Sequence, residues 1–139
     1  MKKEPFVTKE QLEEIVKTYP TPFHLYDEKG IRANAKAVKE AFAWNPGFKE
    51  YFAVKATPNP FLINILKEYG CGLDCSSMTE LMLADTLHFG GPDIMFSSNA
   101  TPASEFQFAH DIGAIINLDD FTHIDFLEKT IGQIPETIS

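Results

Sequence analysis

A repeated alternation of short apolar segments and amphipathic segments constrains the fold of this chain most strongly. Each apolar segment is rich in β-branched or aromatic residues, and apolar residues recur every three or four positions in the stretch that follows it. The alternation predicts βα units, because a helix that crosses back over the sheet makes successive strands parallel. The expected strands start at 50, 72, 94 and 114, and span Glu50–Lys55, Gly72–Cys75, Ile94–Ser97 and Ala114–Leu118.

Helix signals fill the intervals between these strands and also precede the first one. Thr8 and Gln11 fit a capping box for a helix that ends near Thr18, and two prolines then break the chain. A short strand is predicted over Phe23–Tyr26. The remaining helices are predicted at 28–43, 59–69, 77–89, 102–111 and 121–130.

Two architectures have this order of elements: a small doubly wound sheet and the first half of a (β/α)8 barrel. A complete barrel takes about 250 residues, so 139 residues could supply only part of one. The first βα turn, residues 55–60, lacks the Gly-rich phosphate loop of many doubly wound nucleotide-binding domains. Residues 135–139 read as the start of a further strand. Periodicity alone does not separate the two architectures.

Composition argues against several classes of partner. Acidic residues outnumber basic ones by 20 to 12, the formal charge is -8, and no Lys/Arg cluster offers a surface for nucleic acid. No apolar stretch approaches the roughly 20 residues of a membrane helix. The first residues lack an apolar signal region, so a cytoplasmic location is expected.

The cysteines and histidines give no metal-ligand spacing, and no metal site is predicted. Cys71 and Cys75 are expected to be reduced and structural, although small thiols also suit the wall of a cofactor pocket. The four histidines are expected at the surface or on helix faces, at positions 24, 88, 110 and 123.

Lys55 is the residue whose position most favours chemistry. Alternation along its strand puts Tyr51, Ala53 and Lys55 on one face, with Phe52 and Val54 on the other. Lys55 ends the strand, and α/β folds place ligands at the carboxyl ends of their strands. The small Ala53 leaves room for a long side chain to fold over the sheet. A lysine that extends into solvent is the alternative.

Two blocks of sequence resemble the signature of the alanine-racemase-type, pyridoxal-phosphate-dependent decarboxylases, which include diaminopimelate, ornithine and carboxynorspermidine decarboxylases. They are Tyr51-Phe52-Ala53-Val54-Lys55-Ala56-Thr57-Pro58-Asn59 and Gly70-Cys71-Gly72-Leu73-Asp74-Cys75-Ser76-Ser77-Met78-Thr79-Glu80-Leu81. The similarity covers about residues 20 to 130. It implies an α/β fold that is the N-terminal portion of a (β/α)8, TIM-like barrel, with four to five parallel strands and no C-terminal β-domain. Residues 1–27 would form an N-terminal helix and strand, and 28–139 a truncated, partial cofactor-binding barrel.

The resemblance also implies a function. Residues 21–27 resemble the opening typical of diaminopimelate decarboxylases, which favours conversion of meso-diaminopimelate to lysine, in lysine biosynthesis. The expected partners are an amino-acid substrate and, in the full-length form, a second copy of the chain. The family's phosphate cradle has no counterpart up to Ser139, so the isolated chain is expected to show little activity. The alternatives are another enzyme or carrier of the same cofactor class, such as a racemase, and a non-catalytic doubly wound interaction domain.

The same resemblance assigns the site residues. Lys55 would condense with the aldehyde of pyridoxal phosphate, Asp74 and Glu80 would belong to the catalytic network around it, and Ala53, Asp74 and Ser76 would border the cofactor. Glu80 also fits a capping box with Ser77, and Asp74 could be a loop or cap carboxylate. The strand-end residues Asn99 and Asp119 are weaker candidates, because turn chemistry explains both.

Overall fold

The computed structural model describes residues 4–139, in which two helices precede a series of βα units. The helices are α1 (Lys9–Thr18) and α2 (Glu28–Ala41). The units are β1 (Tyr51–Ala53) with α3 (Pro60–Glu68), β2 (Gly72–Cys75) with α4 (Met78–Thr86), β3 (Ile94–Ser97) with α5 (Ala103–Asp111), and β4 (Ile115–Asn117) with α6 (Thr122–Ile131). Short 3-10 turns cover Val54–Ala56 and Gly91–Asp93.

The four strands form one parallel sheet in the order β1-β2-β3-β4. The chain returns to this sheet after α6, where Ile138 bridges to Ile116 in parallel. The Ser139 N–H donates to the Ile116 carbonyl at 2.9 Å, and the Leu118 N–H donates to the Ser139 carbonyl at 2.8 Å. The further strand expected at 135–139 thus begins along β4.

Helices cover only one face of the sheet in the described part of the chain. The alternate residues Leu73, Cys75 and Phe96 are completely buried, whereas Asp74 and Met95, on the opposite face, are half-buried. The buried strand residues form one cluster with apolar residues from four helices: Ile63, Leu81, Ala84, Phe106, Ala109 and Leu127.

Consecutive strand order with helices on a single face is the winding of a barrel. A doubly wound sheet needs helices on both faces and a reversal of strand order. The structure therefore excludes the doubly wound alternative and confirms the N-terminal portion of a (β/α)8 barrel.

Two elements before α3 differ from the sequence-based expectation. The predicted strand at Phe23–Tyr26 is wrong, because this segment forms no hydrogen-bond ladder with any described segment. β1 ends at Ala53, two residues before the expected end, and the chain enters a 3-10 turn closed by the Thr57 N–H and the Val54 carbonyl at 3.1 Å. Prolines 58 and 60 follow, and proline has no N–H to extend a ladder.

α4 is also shorter than expected, since it ends at Thr86 and not at Phe89. His88 adopts a left-handed conformation with φ of 58°, which ends the helix. The Phe89 N–H then donates back to the Ala84 carbonyl at 3.0 Å, so that Phe89 packs into the core as the chain leaves the helix.

α1 and α2 lie outside the buried core. The capping box of α1 is confirmed, with the Thr8 N–H donating to Gln11 at 2.8 Å and the Gln11 N–H donating to Thr8 at 3.2 Å. α2 contacts α3 through an ion pair between Arg32 and Glu68 at 2.5 Å. Within residues 4–139, no helix combines the length and apolarity needed to cross a bilayer.

Candidate active site

Lys55 lies in the 3-10 turn that directly follows β1, at the carboxyl end of the sheet. The alternation predicted that Lys55 lies on the same strand face as Tyr51 and Ala53. This prediction is wrong, because Lys55 lies beyond the end of β1. Val54 is fully buried in the core and Phe52 packs against it, as the alternation predicted. The Lys55 side chain is exposed and has no hydrogen bond or ion pair with any residue that the structure describes. Its amine is open to a reactant from solvent.

Asp74 lies on the neighbouring strand, directly beside Ala53, on the face of the sheet without helices. Its Oδ1 is buried and has no hydrogen-bond partner. A buried carboxylate oxygen without a donor lowers the stability of the fold by about 1–3 kcal/mol or more, because no hydrogen bond replaces those it made to water. The position thus suits a hydrogen-bond donor that would come to this site from elsewhere.

Glu80 and Ser76 are brought together at the start of α4. One oxygen of Glu80 accepts a hydrogen bond from the Ser76 N–H at 2.9 Å, and the other accepts from the Ser77 hydroxyl at 3.2 Å. The expected capping box is not formed, because Ser77 caps no helix N–H and Glu80 accepts from the Ser76 N–H, not from that of the N-cap residue Ser77. The first N–H of the helix, that of Met78, donates instead to Glu105 of α5 at 3.1 Å.

Sequence reasoning missed Glu105, and also Ser97 and Asn117. Ser97 and Asn117 are neighbours in the β3–β4 register, half-buried at the carboxyl ends of their strands. Their signal was present in the sequence, because each is the polar residue that ends an otherwise apolar strand, where α/β folds place ligands. The weaker candidates Asn99 and Asp119 are exposed in the loops beyond these strands.

Cys75 does not border this face. Its side chain is buried in the core beside Phe96, where burial raises the pKa of the thiol from 9.0 to about 12. The negative charges of Glu80 and Asp74 contribute to this raised pKa, though less than burial does. Cys71 is half-buried, and desolvation also raises its pKa. Neither thiol forms a disulfide.

His123 is half-buried on a face of α6, which is one of the two placements expected for the histidines. Its ring meets the edge of Phe106 with 5.5 Å between centroids, and its Nδ1 is buried without a partner. It lies four positions before the buried Leu127, hence on the inner face of α6. No group of three or more potential metal ligands occurs among residues 4–139.

A cavity of about 640 Å³ lies apart from these residues, between α2, α3 and β1. Its walls are mainly apolar and include Ile31, Val38, Phe52 and Leu66. Lys55, Asp74 and Glu80 do not line it. The chemistry-bearing residues and this apolar space are separate features of the molecule.

The sequence is similar to that of known proteins over most of its length. Residues 28–138 match the family described as pyridoxal-dependent decarboxylase, pyridoxal binding domain. Protein TabA of Pseudomonas amygdali pv. tabaci is 50% identical over 128 residues, which cover 92% of this chain and 29% of that protein. Diaminopimelate decarboxylase of Bacteroides thetaiotaomicron is 36% identical over 114 residues, covering 81% of this chain and 30% of that protein.

Solved structures show the same fold. The crystal structure of diaminopimelate decarboxylase from Helicobacter pylori, complexed with L-lysine, superposes with a TM-score of 0.78 at 29% identity, covering 86% of this chain and 30% of that one. The chain thus spans less than a third of the length of these relatives. With 111 consecutive residues, from 28 to 138, matched to its cofactor-binding domain, this chain belongs to the family of pyridoxal-dependent decarboxylases.

Proposed function

We propose that this chain supplies the cofactor lysine of a pyridoxal-phosphate-dependent amino-acid decarboxylase, and that Lys55 is that lysine. The position of Lys55 carries the proposal. Among the four segments that link a strand to the next helix, Lys55 is the only lysine. A primary amine is required, because only a primary amine condenses with the cofactor aldehyde. The exposed amine of Lys55 meets that requirement.

The residues around Lys55 suit pyridoxal phosphate, whose ring, when bound, accepts the electron pair that a departing carboxylate leaves behind. Ala53, beside Asp74 in the sheet, is a small residue that would leave room for the cofactor, and Asp74 offers a buried oxygen that needs a donor. That oxygen can accept a hydrogen bond from the Lys55 ammonium and so hold a proton at this end of the sheet.

Ser76 and Glu80 would border the same space. The Ser76 N–H and the Ser77 hydroxyl hold the Glu80 carboxylate back over the first turn of α4. This leaves the Ser76 hydroxyl, which has no partner within residues 4–139, to contact the cofactor. Glu80 would contribute by orienting this turn and by its negative charge.

Covalent trapping tests the role of Lys55. The chain is incubated with pyridoxal phosphate, reduced with sodium borohydride and digested with trypsin. A modified Lys55 is not cleaved, so the label should appear on a peptide that spans residues 50–67. Lys55→Arg keeps the positive charge but cannot condense, and should lose this label. Lys129→Arg, an equal change at an exposed lysine of α6, should keep it. Labelling spread over many lysines, and unchanged in Lys55→Arg, would contradict the proposal.

We further propose meso-diaminopimelate as the substrate. Several similar proteins are named diaminopimelate decarboxylase, although TabA, at higher identity, has a name that states no reaction. Release of carbon dioxide should be compared for meso-diaminopimelate, L-lysine and L-ornithine, with the protein in the longest form that its gene encodes. The highest kcat/KM is expected for meso-diaminopimelate. A preference for another amino acid would overturn this substrate and leave the role of Lys55 intact.

The resemblance to this family also favours a homodimer for the full-length protein. The dimer would be recognised by its mass in light scattering, and a monomer at all concentrations would contradict it.

A further inference from the structure

The first turn of α4 is held by a carboxylate from the following βα unit. The Met78 N–H donates to Oε1 of Glu105 at 3.1 Å, across 27 positions of sequence. Glu105 lies in the first turn of α5. Ser77, which precedes α4, supplies no cap, because its hydroxyl is bonded to Glu80. A neighbouring helix therefore provides the cap that the local sequence was expected to provide.

Glu105 is placed where its charge strengthens this bond. It is half-buried, and it lies at the N-terminal end of its own helix as well as against the first N–H of α4. The N-terminal ends of both helices carry partial positive charge. A hydrogen bond to a carboxylate is stronger than one between neutral groups, and partial burial reduces competition from water.

The hydrogen bond between Met78 and Glu105 lies next to a very short connecting segment. β2 ends at Cys75 and α4 begins at Met78, so only Ser76 and Ser77 connect the strand to the tethered N–H. The Ser76 N–H donates in turn to Glu80. A shift of Met78 would move both serines, and it would move the carboxylate that they hold.

We propose that Glu105 is a positioning residue for the candidate active site: through the Met78 N–H it fixes Ser76 and Glu80 at the end of the strand that carries Asp74. This inference rests on the proposed function, in which these residues border the cofactor. It adds a residue that touches none of the reacting groups and acts through the backbone of the neighbouring unit.

The test compares Glu105→Ala, Glu105→Gln and Asp111→Ala without cofactor, by 15N NMR of the folded chain. Asp111 is an exposed acid at the other end of the same helix, bonded to Gln107, and serves as the matched control. In Glu105→Ala the Met78 amide should exchange at least about tenfold faster, since a hydrogen bond to a charged group has been lost. The Ser76 amide signal should shift as well. Glutamine retains a carbonyl that can accept the bond, so Glu105→Gln should restore both signals, and Asp111→Ala should change neither.

An unchanged Ser76 signal in Glu105→Ala would overturn the inference, even if that variant were less stable, because a purely structural bond lowers stability without moving Ser76. If Glu105→Ala does not fold, the Glu105→Gln variant decides whether Glu105 positions the site. A folded variant in which the Ser76 and Met78 signals match the wild type supports the bond between Glu105 and the Met78 N–H. A folded variant in which the Met78 signal is displaced but the Ser76 signal is unmoved contradicts the positioning role.

The rate of borohydride-trapped labelling at Lys55 extends the test to the cofactor. Labelling should be slower in Glu105→Ala than in the wild type and recover in Glu105→Gln. Equal and substantial labelling of the wild type and Glu105→Ala would overturn the positioning role. Absence of labelling in the wild type would contradict the proposed function alone, and the amide signals would then decide the role of Glu105.

Discussion

Adjacent residues of β2 have opposite environments, because successive side chains of a strand point to opposite faces. Leu73 and Cys75 are completely buried beneath the helices, whereas Asp74, between them, lies on the face without helices. At Cys75, burial favours the neutral thiol. At Asp74, the same arrangement leaves a buried oxygen without a donor. A single strand thus carries a core position and a candidate active-site position side by side.

The raised pKa of Cys75 predicts a loss of stability at alkaline pH. The thiol ionises near 9 in the unfolded chain but only near 12 in the folded one, so the unfolded state releases its proton first. The contribution of the neutral thiol to the free energy of unfolding is complete below pH 9 and declines as the pH rises from about 9 to about 12. Near pH 10 the free energy of unfolding is lower by about 1 kcal/mol. Urea unfolding of the wild type and of Cys75→Ala across this range isolates the contribution. A difference in unfolding free energy that stays constant with pH would rule it out.

At the scale of elements, the amino-terminal edge of the sheet is closed by side chains that cross β2. The Tyr51 hydroxyl donates to the Pro92 carbonyl at 2.6 Å, and Lys49 pairs with Asp93. The Tyr51 ring passes directly over Gly72, so that a Cβ on this glycine would lie 2.8 Å from ring carbons and 2.7 Å from the Asp93 carbonyl oxygen. Close approach, and not an unusual backbone angle, requires glycine at this position.

Gly72→Ala should therefore destabilise the sheet. The added methyl must displace the Tyr51 ring and press on backbone, and such overpacking costs about 1–3 kcal/mol of unfolding free energy. Gly47→Ala is the matched control, because its nearest neighbour, the Asn45 side chain, lies at an ordinary 3.5 Å. Urea midpoints of the two variants give the comparison. Equal midpoints would show that the Tyr51 ring moves aside without cost.

Across the whole molecule, burial is concentrated in the βα units. The core cluster draws on residues from the turn after β1 to α6, whereas α1 contributes no buried residue and α2 none either. The ion pair that joins α2 to α3 is partly exposed. Surface ion pairs contribute little to stability, with a typical range of about 0–1 kcal/mol. The two leading helices are therefore held much less firmly than the sheet.

Hydrogen exchange should reveal this difference. Amides of α1, over Lys9–Thr18, should open with a free energy near zero, because almost no apolar contact is lost when the helix frays. Amides of β2 and β3, such as those of Leu73 and Phe96, should exchange only on global unfolding. Exchange followed by NMR measures both. Protection of α1 equal to that of β2 would show that α1 is part of the cooperative unit.

Much of this architecture was predictable from sequence. The periodicity of apolar residues indicates which positions are buried, and it therefore located the βα units. Parallel strands bring their carboxyl ends to the same edge of the sheet. Lys55 was for this reason placed at the correct edge of the sheet. The roles of Asp74 and Glu80 remain predictions, although the structure places Asp74 beside Ala53 and gives Glu80 two partners.

Local periodicity in the sequence therefore locates most of the strands and helices, and it identifies the strand that Lys55 follows. Tertiary packing, and not the local pattern, places the helices on one face, leaves Phe23–Tyr26 without a strand partner and makes Glu105 the cap of α4. The physical reason is the same in each case. A periodic pattern records whether a side chain is buried, but a strand partner or a hydrogen-bond acceptor 27 positions away depends on how separate units pack together.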